Sequence, residues 1–220
     1  MIDSRDHLGD GDASPAVDGG ASVHVLGSHA SDADILAALK AERPGAMVAF
    51  FDRYQADVNR MVWRFLGADP DHDDVVQAVF AAVLGSVHRV RDAGALRGWL
   101  LAVTANTVRI EIRRRKWRRR LTFRGGAPET LFGTQDDHDA KEALRHTYHL
   151  LEKLAVEERL VFVLRYIDDQ PLDDIATACG CSLATVKRRL QRAEERFLRL
   201  AMGDPILAER LGRSKRWETP

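Results

Sequence analysis

Cationic and hydrogen-bonding side chains cluster in the stretch CSLATVKRRLQRAEERFLRL, which runs from Cys181 to Leu200. Apolar residues recur there at helical spacing, so the polar residues share the opposite flank of one predicted helix. Arginine, lysine and glutamine can reach base edges and phosphates in the major groove of DNA, and short hydroxyls approach phosphates near a helix start. The flank predicts DNA binding by Ser182, Thr185, Lys187, Arg188, Arg189, Gln191 and Arg192.

An alternative interpretation of this stretch is an amphipathic surface helix whose polar flank only faces solvent. The preceding segment, PLDDIATACG, helps to decide between the two interpretations. Ile175 and Ala176 are expected to face inward on a short helix, and Gly180 permits a turn with positive φ. Ser182 is placed to cap the following helix through its hydroxyl. Because the turn, the cap and two apolar periods agree, the pattern favours a helix-turn-helix over the solvated helix.

A second basic run, RIEIRRRKWRRR, extends from Arg109 to Arg120, and seven of its last eight residues are cationic. The alternative here is a solvated helix end, where cations favour the C-terminal dipole. Seven cations in eight residues are more than the stabilisation of a helix C-terminus requires. Two such helices binding phosphates together predict a steep salt dependence, because each neutralised phosphate releases counterions. We expect Trp117 to pack on its own domain rather than to stack on a base.

The chain as a whole has no net charge, since 33 basic side chains match 33 acidic ones among 220 residues. Acidic residues collect near the N-terminus and in the middle of the chain, whereas basic residues collect on the two predicted helices. Charges more than about 8–10 Å apart are largely screened at physiological salt, so local surface charge decides attraction to phosphate. The neutral total is therefore compatible with two DNA-binding surfaces.

The two cysteines, Cys179 and Cys181, stand too close together to staple a fold, which suits a reducing cytosol. No stretch has the apolar core of a signal peptide or the length of a transmembrane helix. We therefore predict a cytoplasmic protein without membrane insertion.

The elements that must position these side chains are all predicted to be helices. Apolar residues follow helical spacing in a first stripe formed by Met47, Phe50, Phe51, Tyr54, Val58, Met61, Val62 and Phe65. A later stripe that runs into the basic run consists of Leu96, Trp99, Leu100, Val103, Thr107 and Ile110. No stretch alternates with a period of two, so the predicted fold class is all-α.

Composition divides the chain into five segments. Residues 1–31 are predicted to be a disordered acidic tail, and residues 123–140 a flexible Gly-rich linker. Two helical domains are expected at 32–122 and 141–201, and residues 202–220 form a C-terminal tail with room for one short helix. Asp32 or Asp34 is the expected cap of the first helix.

Catalysis and metal binding find little support. Cys179 and Cys181 with His146 and His149 lack the spacing of a structural zinc site. The paired aspartates of DPDHDD suit a helix start, and no nucleophile or metal pattern accompanies them. We predict a protein that is not an enzyme and that needs no cofactor.

Three segments together resemble a bacterial RNA polymerase sigma factor of the sigma-70 family, in the extracytoplasmic-function (ECF) group. DPDHDDVVQAVFAAVL is similar to the core-binding helix of that group, and ALRGWLLAVTANTVRIEIRRR to its −10 segment. LEKLAVEERLVFVLRYIDDQPLDDIATACGCSLATVKRRLQRAEERF resembles its −35-binding domain. Four positions depart from the pattern. Ala78 stands where the group usually has Glu, and Arg188 where a small residue is common. Thr104 and Ala105 replace the more usual Ala and Arg before Asn106.

The resemblance implies a region 2-like helical bundle and a region 4-like helix-turn-helix domain that act with core RNA polymerase on promoter DNA. It places core-polymerase binding at Asp74, Gln77 and Phe80. It places the −10 contacts at Arg97, Asn106, Arg109, Arg113 and Arg114, with the loop Arg89–Ala95 and Asn106 forming a pocket for an extruded base. The helix from Ser182 to Arg192 would read the −35 element, and an anti-sigma protein is a further expected kind of partner.

Two other functions remain open at this point. A stand-alone helix-turn-helix regulator would explain the C-terminal domain, but it has no reason to carry a core-binding helix beside a basic −10 segment. An arginine-rich RNA-binding protein would use Arg113–Arg120, but this leaves Ser182–Arg192 unexplained.

Overall fold

The computed structural model describes residues 30–121 and 138–212, and every regular element in those ranges is a helix. The predicted all-α fold class is confirmed. Most of the predicted acidic tail, most of the predicted linker and residues 213–220 lie outside the described ranges. Within those ranges, the helices are too short or too polar to cross a membrane.

Four helices build the first half of the described chain: α1 (Asp32–Lys40), α2 (Ala46–Leu66), α3 (His72–Ser86) and α4 (Leu96–Leu121). Two 3₁₀ turns, Val87–Arg89 and Ala93–Ala95, connect α3 to α4. The first predicted stripe is largely confirmed on α2, where Phe50, Tyr54, Val58, Val62 and Phe65 are buried. These side chains point one way because they recur every three or four residues.

The first helix is capped by Ser31 and not by an aspartate, so the prediction of Asp32 or Asp34 as its cap was wrong. The Asp34 amide donates to the Ser31 hydroxyl at 3.2 Å, and the Ser31 amide donates to the Asp34 carboxylate at 3.0 Å. This reciprocal pair is a capping box with an acid at its third helical position. The Ser31 hydroxyl also donates to the Asp34 carboxylate at 2.6 Å, and this bond together with that from the Ser31 amide lowers the pKa of the Asp34 carboxyl.

The apolar stripe of α4 is rotated relative to the predicted one. The buried side chains are Leu96, Leu100, Leu101, Thr104, Ala105, Val108, Glu111 and Ile112. Ile110, predicted to lie in the core, is 58% exposed. The buried Thr104 is tolerated because its hydroxyl donates to the Leu100 carbonyl at 2.9 Å. The prediction failed because α4 packs against helices on two sides, including helices of the second half.

Five helices build that second half: α5 (His138–Glu152), α6 (Val156–Phe162), α7 (Leu172–Cys179), α8 (Leu183–Met202) and α9 (Pro205–Gly212). A π-helical turn, Val163–Ile167, extends α6. The Phe162 and Phe197 rings lie with centroids 4.8 Å apart and join α6 to α8. The helix α5 begins inside the predicted linker, and α9 is the short helix expected near the C-terminus.

The two halves meet at the C-terminal end of α2. The last carbonyls of a helix lack partners within the helix, so another group must satisfy them. The Tyr148 hydroxyl of α5 donates to the Arg64 carbonyl at 3.0 Å, and Arg159 of α6 donates from Nη2 to the Phe65 carbonyl at 2.7 Å. The second half therefore caps a helix of the first half.

Gly67 allows this approach of α5. Its φ of 74° lies in the left-handed region, and a Cβ at this position would stand 2.8 Å from the Tyr148 ring. Glycine is thus required both by the backbone conformation and by the space that the ring occupies. The Tyr148 ring also meets Trp63 edge to face, with ring centroids 5.7 Å apart. The predicted pair of helical domains forms one packed unit.

Candidate nucleic-acid interface

The helix-turn-helix has the geometry that the sequence predicts. Gly180 ends α7 with φ 61° and ψ 41°, and its amide donates to carbonyls of the last turn of α7. The Cys181 amide donates to the Ala176 carbonyl at 3.0 Å, which fixes the path of the turn. Ser182 then caps α8, because its hydroxyl accepts from the Thr185 amide at 3.3 Å. The predicted cap and the predicted positive φ are both confirmed.

The buried side of α8 orients its polar flank. Val186, Leu190, Ala193 and Phe197 are buried as predicted, and Leu200 is only partly buried. On the opposite flank the exposed side chains are Ser182, Lys187, Arg188, Gln191 and Arg192, whereas Thr185 and Arg189 are partly buried. The exposed set presents three cations and an amide to solvent on two successive turns.

Arg189 differs from its neighbours because it turns towards α6. Its Nη1 lies 3.2 Å from the Glu157 carboxylate and 3.5 Å from the Cys181 sulfur. The sulfur of Cys181, which lies in the turn, is thus in contact with Arg189 of α8. Cys179 is buried, and burial raises the pKa of its thiol to about 11. Both cysteines pack at the turn between α7 and α8, as the spacing of CGC indicated.

The basic run of α4 is a network of ion pairs in its middle portion. The buried Glu111 accepts from Arg114 and Arg115 at 2.9 and 2.8 Å, and it lies 3.3 Å from Arg118. Burial opposes ionisation of Glu111, but the hydrogen bonds from Arg115 and Arg114 outweigh it and lower the pKa of this carboxyl. Arg115 also pairs with Asp69 and Asp71. Part of the run therefore stabilises the fold.

The side chain of Trp117 is 64% exposed, so the prediction that it packs on the domain was wrong. Lys116, beside it, points to the second half, where its Nζ donates to the Leu154 carbonyl at 2.7 Å. The side chains of Arg119 and Arg120 lie outside the described part of the structure.

The −10 candidates are spread along α4. Arg97 and Asn106 are exposed, and Asn106 accepts from Arg109 at 3.3 Å. Asn106 lies ten helical residues beyond Leu96, which is roughly 15 Å along the axis at 1.5 Å per residue. The pocket expected from Asn106 and the loop Arg89–Ala95 stays a prediction. A separate cleft of about 500 Å³ opens at the start of α4, between Arg97 and Asp174.

Glu157 is a residue whose importance the sequence did not reveal. Its carboxylate lies 3.4 Å from Arg109, 2.8 Å from Arg113 and 3.2 Å from Arg189. It joins two candidate −10 residues on α4 to one candidate −35 residue on α8. The only signal in the sequence is an acid in the first turn of α6, which is common in helices.

The core-binding candidates on α3 divide between surface and interior. Asp74 and Gln77 are exposed, but Phe80 is buried at 6% exposure, with its ring 4.8 Å from Phe51 and 6.1 Å from Phe50. The prediction that Phe80 contacts a partner is therefore not supported, because its side chain fills the space between α2 and α3. Four large apolar side chains of α2 and α3 are exposed instead: Val48, Phe51, Trp63 and Leu84.

Within the described residues, a capped helix-turn-helix in one half and a long basic helix in the other are typical of a DNA-binding protein. Comparison with protein families gives a match for each half of the chain. Residues 50–118 match the family described as sigma-70 region 2, and residues 145–197 match sigma-70, region 4. Each match falls inside one of the two predicted domains.

Individual relatives agree with the family matches. The ECF RNA polymerase sigma factor SigC of Mycobacterium tuberculosis is 30% identical over 164 residues, which cover 73% of this chain and 86% of SigC. RNA polymerase sigma factor SigV of Bacillus subtilis is 25% identical over 152 residues, which cover 67% of this chain and 86% of SigV.

Solved structures share the fold. CnrH in complex with the cytosolic domain of CnrY aligns with a TM-score of 0.54 at 22% identity, covering 80% of this chain and 99% of CnrH. The sigma factor RpoE of Bartonella quintana, in complex with the anti-sigma factor NepR, aligns with a TM-score of 0.51 at 18% identity, covering 70% and 95%.

The chain belongs to the sigma-70 family of RNA polymerase sigma factors, in its ECF group. The family resemblance expected from the sequence is confirmed. The family acts in transcription initiation by directing RNA polymerase to promoters, and this is the function of the chain.

Proposed function

We propose that this cytoplasmic protein binds core RNA polymerase and sets the exposed flank of α8 into the major groove of the −35 element while α4 engages the −10 element. The observation that carries the proposal is the capped α8 with Lys187, Arg188, Gln191 and Arg192 exposed on one flank. Such side chains can bond base edges or phosphates without rearrangement of the helix. The proposed domains are residues 32–122 for the polymerase and −10 contacts and 141–201 for the −35 contact.

The proposed polymerase surface lies on α2 and α3. Asp74 and Gln77 supply polar contacts, and Val48, Phe51 and Leu84 supply exposed apolar area on the same two helices. The contact between the Phe51 and Phe80 rings fixes the register of α2 against α3 at this end of the bundle. Apolar area with a polar edge is the composition of a protein–protein contact. This surface replaces the predicted contact through Phe80.

The proposed −10 contacts are Arg97, Asn106, Arg109, Arg113 and Arg114 on α4. Arg97, Asn106, Arg113 and Arg114 are exposed, so they can meet a separated strand along the helix. Asn106 offers both a donor and an acceptor to one base. Unstacking a base costs a few kcal/mol, which the arginine–phosphate contacts offset.

Run-off transcription with purified core polymerase on DNA from upstream of candidate target genes tests the proposal. Addition of the protein is expected to yield a transcript with a defined start, and core polymerase alone is the control. Tight binding to duplex DNA without any initiation would instead identify a stand-alone regulator. Asn106→Ala is expected to reduce strand opening, read by permanganate reactivity, and to leave affinity for core polymerase unchanged.

An anti-sigma protein is a further proposed partner. The solved structure of the Bartonella quintana sigma factor contains such a protein, NepR. Co-purification of the full chain from its own host, with identification of bound proteins, tests whether this chain has one. Recovery of core polymerase subunits alone would speak against it.

A further inference from the structure

Arg159 of α6 is a cation in the interior of the molecule. The residue is 5% exposed, and its Nη2 donates to the Phe65 carbonyl at 2.7 Å, which is a neutral partner. Its Nε–H is also buried and has no hydrogen-bond partner among the described residues. Burial lowers the pKa of the guanidinium group, although the charge of Glu152 acts in the opposite direction. A buried cation with an unused donor is costly unless water or an anion binds it.

A second buried donor without a partner belongs to Arg115 of α4. Its Nε donates to the Glu111 carboxylate at 2.8 Å, and its Nη1 donates to Asp69. Its Nη2 lies 3.2 Å from the Asp71 carboxylate, but it makes no hydrogen bond there or with any other described residue. Nearly all buried polar groups in folded proteins are hydrogen-bonded, so an exception points to a water or an ion that completes the set.

Arg115 and Arg159 line the same small cavity, which has a volume of about 20 Å³. The other charged residues around this cavity are Asp69, Lys116 and Glu152. The cavity therefore lies where α4 of the first half meets α5 and α6 of the second. The two unused N–H groups belong to two different helices that border one space.

The charges around the cavity do not cancel, because three cationic and two acidic residues line it. Asp69 is engaged by Arg115, and the Nζ of Lys116 donates to the Leu154 carbonyl at 2.7 Å. Glu152 opposes the entry of an anion, but Arg159 and Lys116 outweigh it. A water molecule would satisfy the donors and leave the excess positive charge, whereas a monovalent anion would satisfy the donors and neutralise that charge.

The volume of the cavity restricts the anion to one of atomic size. A cavity needs roughly 10–15 Å³ to hold one water, so about 20 Å³ leaves room for one occupant of similar size. Phosphate, sulfate and carboxylates contain several heavy atoms and are too large. A halide ion is a single atom that can accept from several donors at once, and chloride is the halide that is abundant in biological solutions.

We propose that this cavity binds one chloride ion, which accepts hydrogen bonds from Nε of Arg159 and from Nη2 of Arg115. The ion neutralises the excess charge of the cavity and joins α6 to α4. Neither arginine belongs to the proposed −10 or −35 contacts, so the chloride site does not depend on the proposed function.

Binding of chloride has a measurable consequence for stability. A ligand that binds only the folded protein raises the free energy of unfolding as its concentration rises. General screening by salt depends on ionic strength and does not distinguish two anions of the same charge. A dependence on the identity of the anion, at constant ionic strength, therefore separates a specific site from screening.

Thermal unfolding of the full-length protein, followed by circular dichroism, is the first measurement. Sodium chloride is compared with sodium methanesulfonate at equal ionic strength, because methanesulfonate carries the same single charge but has too many heavy atoms for the cavity. The unfolding midpoint is expected to be about 2–4 °C higher in chloride and to rise with chloride concentration. Equal midpoints in the two salts would overturn the proposal and assign a water to the cavity.

Arg159→Lys tests the site itself, since lysine keeps the positive charge and removes the guanidinium Nε–H. Arg196→Lys is the matched control, with the same substitution at an exposed position of α8 that does not line the cavity. The chloride-specific shift is expected to disappear in Arg159→Lys and to persist in Arg196→Lys. A shift that persists in both variants would place the chloride elsewhere. If Arg159→Lys does not fold, Arg115→Lys takes its place, because it removes the other donor.

Chloride-35 NMR measures binding to the folded protein without unfolding it. The resonance of free chloride broadens when the ion exchanges with a site on a slowly tumbling protein. The unaltered protein and Arg196→Lys are expected to broaden it equally, and Arg159→Lys to broaden it less. Equal broadening by all three proteins would mean that chloride binds only at the surface, and the proposed site would then be wrong.

Discussion

Arg192 and Arg196 stand one turn apart on the exposed side of α8, yet only Arg192 belongs to the flank proposed for the −35 groove. The first two turns of a recognition helix reach base edges, while later turns leave the groove. Position on the helix, and not charge alone, therefore distinguishes a binding arginine from a solvated one. A similar distinction applies to α4, where Glu111 and Glu157 together pair with all five arginines from position 109 to position 118.

Arg192→Ala is expected to weaken binding to −35 duplex by about 1–3 kcal/mol if the side chain bonds a base. Fluorescence anisotropy with the holoenzyme and a promoter fragment measures the loss. Arg196→Ala is the matched control, with the same charge change one turn further along. Equal losses in the two variants would assign both residues to general electrostatics.

Acid should weaken the fold partly through Glu111. Its pKa is lowered from an ordinary value of 4.5 in the folded protein, so its ion pairs stabilise the fold above that pH. This stability is lost as the pH falls below 4.5 and through the lowered pKa. Urea unfolding at a series of pH values should therefore show a smaller acid loss in Glu111→Gln than in the unaltered protein. Parallel pH profiles would contradict the assignment.

The local sequence pattern predicts some of the helices better than others. The helix-turn-helix could be predicted in detail, because Gly180, Ser182 and the apolar face of α8 are determined by neighbours within a few residues. The stripe of α4 could not, since α4 packs against α6 and α7 as well as α2 and α3, and buries residues outside the predicted stripe such as Ala105. Glu157 was missed for the same reason, as Arg113 is 44 positions away. Local periodicity carries no information about such distant partners.

Gly180→Ala tests the turn between α7 and α8. A Cβ there would meet nothing within 4 Å, so the cost comes from the positive φ alone and should be about 1 kcal/mol. Gly85→Ala is the control, since its helical backbone and open surroundings favour alanine by roughly 0.5–1 kcal/mol. Urea unfolding of both variants should give changes of opposite sign. Two stabilising changes would show that the turn relaxes to another backbone conformation.

The whole molecule departs from the expected tether between two independent domains. The halves share a buried core, and the second half satisfies the last carbonyls of α2. Elements that share a core unfold together, whereas separate domains unfold in separate steps. We therefore expect the two matched family segments to unfold together as one cooperative unit in the free protein.

A single unfolding transition is the expected result for the free protein. Near-ultraviolet circular dichroism reports on packed aromatic side chains and far-ultraviolet circular dichroism on helix content, and their urea curves should coincide. Glu157→Gln, which loosens the junction, should broaden or separate them. Two resolved transitions in the unaltered protein would show that the halves are thermodynamically independent.

The capping of α2 by Tyr148 and Arg159 also sets an order of events during synthesis. These side chains follow the carbonyls that they satisfy by 84 and 94 positions. A ribosome makes a chain from its N-terminus, so the first half leaves the exit tunnel well before its caps exist. The final turn of α2 is consequently expected to remain hydrated in the nascent chain until α5 and α6 have been synthesised.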